Sequence, residues 1–252
     1  MQGNAIIKKK LREFQMKEMI EELSIPSDPN LAPGEARCPG RSVKDILSSE
    51  NSRHDDGLMA SSYKFLGSED LPFSRYTDQE FYDQEIKKVW SKVWQWACRE
   101  EHVKEPGDYY VYDIGPYSAI VIRDAANKIR AYVNSCPHRG MAFFDPGSQG
   151  TGKQFLRCPF HGMSWNLDGS LKEIPCRWDF PHVSDESFGL TEIPSGTWAG
   201  FVFINFDLQC GPLEDYLEVL PDHFKEWGLE NRRVAIHTYK ELPGNWKMCM
   251  EG

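Results

Sequence analysis

Cys136-Pro137-His138-Arg139-Gly140 and Cys158-Pro159-Phe160-His161-Gly162, with nineteen residues between His138 and Cys158, decide how this chain is read. Together they spell C-x-H-x19-C-x-x-H. Each half brings one thiol and one imidazole, side chains that hold iron or zinc. A structural zinc site accepts two Cys and two His tetrahedrally, but its usual spacings keep Cys with Cys and His with His. Here the two types are interleaved. Two parallel loops of this kind can each give a thiolate to one iron and an imidazole to the other iron of a [2Fe–2S] cluster in which two His replace two Cys. Pro137 and Pro159 stiffen the loops. Gly140 and Gly162 are expected to let backbone amides approach the sulfides. Zinc stays as the competing reading of the same four residues.

Working outward, the flanking sequence is mainly β. Short segments rich in Val, Ile, Tyr and Phe occur at 109–114, 118–123, 129–134, 154–157, 164–166 and 201–206. Gly, Pro, Asp or Asn separate them, with turn signals at Gly115-Pro116 and Leu167-Asp168-Gly169. Such spacing suggests a small antiparallel barrel or sandwich. Before it, Thr77 or Asp78 is placed to cap a helix running to about residue 98, with Glu80 completing a capping box after Thr77. Its broad apolar face includes Trp90 and Trp94, and the cluster Trp90, Trp94, Trp96 reads as core. After the strands, 213–227 has helical character interrupted by Pro221, and 234–241 starts a new strand-like run.

The N-terminal part differs in character. Residues 5–23 show loosely helical apolar spacing that Pro26 ends, and 27–74 is rich in Pro, Gly, Ser, Asp and Asn with little periodicity. The chain has 252 residues and a net charge of −9, which argues against nucleic acid or an anionic membrane as partner. No run approaches a membrane span, and 1–23 lacks the apolar core of a secretory signal. Cys38, Cys98, Cys176, Cys210 and Cys249 follow no disulfide framework and read as reduced thiols. A cytoplasmic protein is the expectation.

The two boxes resemble those of Rieske proteins. The chain from about Ser74 onward resembles the α subunit of Rieske non-haem iron aromatic-ring-hydroxylating oxygenases. The residues carrying this likeness are Pro106-Gly107-Asp108-Tyr109, Asn134-Ser135 before the first box, and Asn166-Leu167-Asp168-Gly169-Ser170-Leu171 after the second. Gly200-Phe201-Val202-Phe203-Ile204-Asn205-Phe206 and Gly244-Asn245-Trp246-Lys247 follow. Respiratory-type Rieske proteins usually carry an extra Cys in each loop and hydroxyl donors after the second box. Here Met141 and Phe160 stand near the former places, and Met163 and Trp165 at the latter. Without those donors the reduced cluster is less stabilised, so a potential of about −150 mV, the low end of the Rieske range, is expected. Met163 departs from the family's frequent Trp, and Gly252 from its common Asn.

The resemblance implies a Rieske-type antiparallel β domain, an N-terminal helical segment and the beginning of an α+β catalytic domain. In residues this gives a helix over 1–25, an irregular linker over 26–74, and a helix packing on the catalytic domain over 75–100. The Rieske domain would span 101–210, and an incomplete start of the catalytic domain 211–252. It implies Cys136 and Cys158 on one iron and His138 and His161 on the other; Arg139 reads as pinning a loop, with a direct effect on the cluster potential secondary, and Trp165 as either packing over the cluster or plain core, which the sequence does not decide between. A ferredoxin or flavin reductase would supply electrons, and the full-length protein would form a homo-oligomer, in the family often a trimer. The family's mononuclear Fe(II) ligands would follow Asn-Trp-Lys beyond Gly252, so no residue here is expected to be catalytic. The chain reads as a fragment of an oxygenase acting as its electron relay. A stand-alone Rieske electron-transfer protein is the alternative.

Overall fold

The computed structural model describes residues 43–51 and 71–251. The chain divides into two units, Met1–Asp70 and Leu71–Gly252. Within the first, helix α1 (Val43–Ser49) lies in the stretch expected to be an irregular linker. The helix expected over 1–25, Cys38 and His54 lie outside the described residues.

The second unit is built on antiparallel strands. Its middle layer is a five-stranded sheet of β2 (Tyr109–Ile114), β3 (Tyr117–Arg123), β4 (Ile129–Val133), β5 (Gln149–Gly150) and β9 (Glu192–Ile193), in the order β5-β2-β3-β4-β9. The central strand β3 is buried on both sides. Ala119 and Val121 face one apolar cluster and Ile120 and Ile122 the other, all four fully buried. That explains its nearly continuous apolar run, because alternation is visible only where one face meets water. Each large aliphatic side chain so buried contributes about 1.5–3 kcal/mol.

One face of this sheet packs against β6 (Leu156–Arg157), β7 (Ser164–Trp165) and β8 (Leu171–Glu173). The other packs against β1 (Gln95–Arg99), β10 (Ser195–Trp198) and β11 (Phe201–Ile204). Trp94, Trp198 and Phe203 on the far side of that outer sheet meet Leu213 and Leu217 of α4 (Leu213–Leu217).

The helix expected up to residue 98 is shorter and broken. It comprises α2 (Ser74–Thr77), α3 (Gln79–Glu85) and a π turn, Ile86–Trp90. Asp78 caps α3 by accepting from the Glu80 amide, while Thr77 bonds back to the Phe73 carbonyl. Gln95–Arg99 is a strand because it pairs with β11, with a bulge between Trp96 and Cys98. The bulge leaves Trp96 mostly exposed, whereas Trp94 is buried, so only part of the Trp cluster is core.

Two further expectations change. Pro221 does not interrupt a helix; it sits in the first turn of α5 (Leu220–His223), where a missing N–H costs nothing. The break falls at Glu218, whose φ is +48°. The segment 234–241 joins no sheet among the described residues, and Ile236 and Tyr239 are exposed. The last helix, α6 (Trp246–Glu251), follows it. Among the described residues no helix is long and apolar enough to cross a membrane. The six described cysteines are unpaired, and burial, with Glu100 beside it, pushes the Cys98 thiol up to about 12.

The β3–β4 turn carries a pH-sensitive element. Burial raises the Asp124 carboxyl, but donors from Arg130 Nε and the Lys128 and Ala126 amides outweigh this and hold it below the ordinary carboxylate value. A depressed folded value means stabilisation that is complete above the unfolded value of about 3.9 and is lost as pH falls through the folded value. Asp124→Asn should therefore cost about 1–3 kcal/mol at neutral pH. It should also flatten the acid limb of stability below about pH 4. Urea midpoints measured against pH for both proteins check this, and parallel acid limbs would refute it.

Candidate metal centre

Two loops of the same design come together. The first follows β4 and the second joins β6 to β7. In each, the Cys amide donates to the carbonyl five residues on: Cys136 to Met141 and Cys158 to Met163, both at 2.8 Å. In each, the Gly amide donates back to the Cys carbonyl, at 2.8 Å from Gly140 and 3.1 Å from Gly162. Gly140 and Gly162 have φ of +74° and +75°. A Cβ at either would meet its nearest neighbour at 3.7 or 3.6 Å, which is ordinary contact. Glycine is needed here for the left-handed backbone.

Asn134 fixes the first loop. Its Oδ1 accepts from the Phe143 and Phe144 amides, and its Nδ2 donates to Ser118 Oγ and the Phe144 carbonyl. A buried amide with each of its polar atoms partnered holds a loop rigidly.

The four side chains of the motif fall into two pairs. Cys136 and Cys158 are buried within the apolar cluster that includes Met163, Trp165, Phe143 and Leu156. Burial pushes the Cys136 thiol up, and the neighbouring Cys158 sulfur adds to this; the His138 and Arg139 amides, directed at the Cys136 sulfur, oppose it. His138 is half-buried and His161 exposed, with ring centroids 4.9 Å apart at 64°. Burial, then the nearby His161 and Arg139, holds His138 below its ordinary value. That favours the neutral ring a metal requires. Among the described residues no three His, Cys, Asp or Glu side chains gather at a single ion position. Sulfur beside sulfur and ring beside ring suit two irons better than one zinc, and amides aimed at sulfur suit a thiolate ligand.

Around this pairing, Trp165 is fully buried and edge-on to Phe143, and its indole N–H donates to the Phe188 carbonyl at 2.7 Å. It shares one apolar cluster with both thiols and is part of the core there. Arg139 does not pin a loop. Its side chain is exposed and makes no hydrogen bond or ion pair among the described residues. The other described histidines are dispersed: His102 accepts from the Arg99 amide, His182 lies near Phe180, His223 against Phe224, and His237 is exposed. Two aromatic side chains neighbour the rings, of which Phe180 carried no signal in the sequence. Phe160 lies 3.9 Å from His161, and Phe180 stands edge-on to His138 at 6.0 Å.

Comparison with known proteins identifies the domain that carries these loops. A family model of the Rieske [2Fe–2S] domain matches residues 93–184. The large oxygenase component of salicylate 5-hydroxylase from Ralstonia sp is 30% identical over 199 residues, 73% of this chain and 47% of that protein. The oxygenase subunit of carnitine monooxygenase from Escherichia coli (strain K12) is 28% identical over 183 residues, 72% of this chain and 48% of that one. The apo quaternary ammonium Rieske monooxygenase CntA superposes with a TM-score of 0.67 at 26% identity, covering 72% of this chain and 53% of its own. The chain thus spans about half the length of the relatives it matches. It carries a Rieske [2Fe–2S] domain, and it is similar to Rieske oxygenase components over about half of their length.

Proposed function

We propose that this chain is the electron-relay part of a Rieske oxygenase, with Cys136 and Cys158 holding one iron and His138 and His161 the other. The observation that supports it is the pairing of two buried thiols with two adjacent imidazoles on twin loops. When bound, the cluster supplies one-electron transfer. The chain's own residues then divide the work. The Cys136 and Cys158 loops fix the sulfurs, and Met163 and Trp165 exclude water behind them. The exposed His161 offers the opening through which a partner can exchange electrons. Met163 and Trp165 bring no hydroxyl to sulfur, in keeping with a potential near the low end of the Rieske range.

In this reading 101–210 forms the Rieske domain and 211–252 begins a catalytic domain. A ferredoxin or flavin reductase supplies the electrons, and a mononuclear non-haem iron that activates O2 receives them. No residue of this chain is assigned to that iron. An aromatic acid or a quaternary ammonium compound is the substrate class to test, following the relatives' names. The full-length protein would be a cytoplasmic homo-oligomer, a trimer in the simplest case. Likeness to oxygenase components well beyond residues 93–184 favours this over a stand-alone electron carrier.

The test is anaerobic reconstitution with iron and sulfide, followed by EPR after dithionite. A Rieske-type signal is expected, lost in His138→Ala and His161→Ala. A silent spectrum from a protein holding stoichiometric zinc and no sulfide would establish the zinc site instead.

A further inference from the structure

Resting on that cluster reading, we propose that Phe180 is a positioning residue for His138, and that it helps set the cluster's potential by keeping water off that imidazole. The carrier of Phe180 is the loop from Pro175 to Phe188, which folds back beside both cluster loops. Pro175 lies next to Gly162 at one end, and Phe180 meets His138 at 87° near the middle.

The loop is held in this path by its own bonds. Arg177 Nη2 donates to the Val183 carbonyl at 2.6 Å and to Asp185 Oδ1 at 2.8 Å, closing the turn around Phe180. The Phe180 amide donates to the Arg177 carbonyl, and the Val183 amide to the Phe180 carbonyl. Trp165 holds the far end through the Phe188 carbonyl, and the Leu190 amide bonds Gly169. Within this loop Trp178, Asp179, Pro181 and His182 are exposed. Phe180 and Val183 turn inward, onto the apolar cluster that contains Cys136 and Cys158.

The two imidazoles are therefore walled differently. His161 is exposed, and Phe160 beside it is itself half in solvent. His138 is half-buried with Phe180 across it. An apolar shell around a metal ligand limits solvent access and lowers the local dielectric, and both act on redox potential. Reduction adds one negative charge to the cluster, so water admitted beside His138 stabilises the reduced form. Loss of the Phe180 ring raises the potential.

The test uses the full chain with its reconstituted cluster, as wild type, Phe180→Ala, Phe180→Leu and Phe180→Gln. Iron and sulfide content, EPR line positions and midpoint potential are measured for each. With equal loading, Ala and Gln should raise the potential and shift the EPR lines, while Leu, which keeps an apolar cover, should stay near wild type. Leu moving as far as Gln, or no variant moving, would overturn the proposal. Should Phe180→Ala load poorly, Gln against Leu decides it in the same way. A wild-type chain that gives no Rieske signal overturns the cluster reading itself. A normal wild-type signal with invariant potentials overturns only the role of Phe180.

Discussion

Trp165→Ala is expected to destabilise the second unit by about 3–5 kcal/mol, the usual cost of deleting a fully buried aromatic. Trp165 shares its cluster with Cys136, Cys158 and Met163, so the space left by the indole opens beside the sulfurs. The substitution also strips the Phe188 carbonyl of its donor. Trp165→Phe separates the two effects. It retains most of the ring, leaves that carbonyl unpaired, and should cost about 1–3 kcal/mol. Because the indole bond anchors the loop that carries Phe180, amide exchange of Leu190 should quicken in both variants, including in protein without a cluster. Denaturant unfolding and hydrogen exchange read these outcomes. A loss below about 1 kcal/mol for Trp165→Ala would show that Trp165 is a replaceable filler rather than the keystone of this core.

What the sequence made legible follows the distance between interacting residues. β2, β3 and β4 were readable to within a residue because they are consecutive hairpin strands, Tyr109–Ile114 against Tyr117–Arg123 against Ile129–Val133. The four motif residues were readable because each pair lies inside one tight loop. β1 was not, since Gln95–Arg99 gains its strand partner from β11, about a hundred residues away, and its aromatic spacing imitates a helix. β5 and β9 are two residues long and are defined by pairing rather than by composition. Asn134 had a visible cue, standing two residues before Cys136, whereas Phe180 had none. Its position depends on Arg177 closing the turn onto Val183 and Asp185. Arg139, expected to pin a loop by hydrogen bonds or a salt bridge, instead has an exposed side chain.

The junction between helix and chain end should respond very unequally to the removal of its two charges. Glu85 is 8% exposed, and its carboxylate accepts from Lys247 Nζ at 2.7 Å and from Trp246 Nε1 at 3.2 Å. Lys247→Met leaves that carboxylate buried with one neutral donor, a change expected to cost about 3–5 kcal/mol. The reverse removal is milder. After Glu85→Leu the ammonium still lies 5.3–5.5 Å from the ring centroids of Tyr76, Phe81 and Trp246. Such contacts are worth about 0.5–2 kcal/mol for a partly desolvated cation, so the net loss should be about 1–3 kcal/mol. Glu85→Leu with Lys247→Met should return close to wild-type stability, since apolar side chains of similar size often replace a buried pair without loss. The pair also has a mechanical consequence. Trp246 stands edge-on to Trp90 at 4.9 Å, the Trp90 carbonyl accepts from Gln95, and Gln95 accepts from the Tyr112 hydroxyl on β2. Through that series the start of α6 is tied to the sheet that carries the first cluster loop. Amide exchange in α6 should therefore quicken far more in Lys247→Met than in the double variant. Equal losses from the two single substitutions, or a double variant as unstable as Lys247→Met, would mean that the buried carboxylate is solvated or re-paired and that the coupling runs elsewhere.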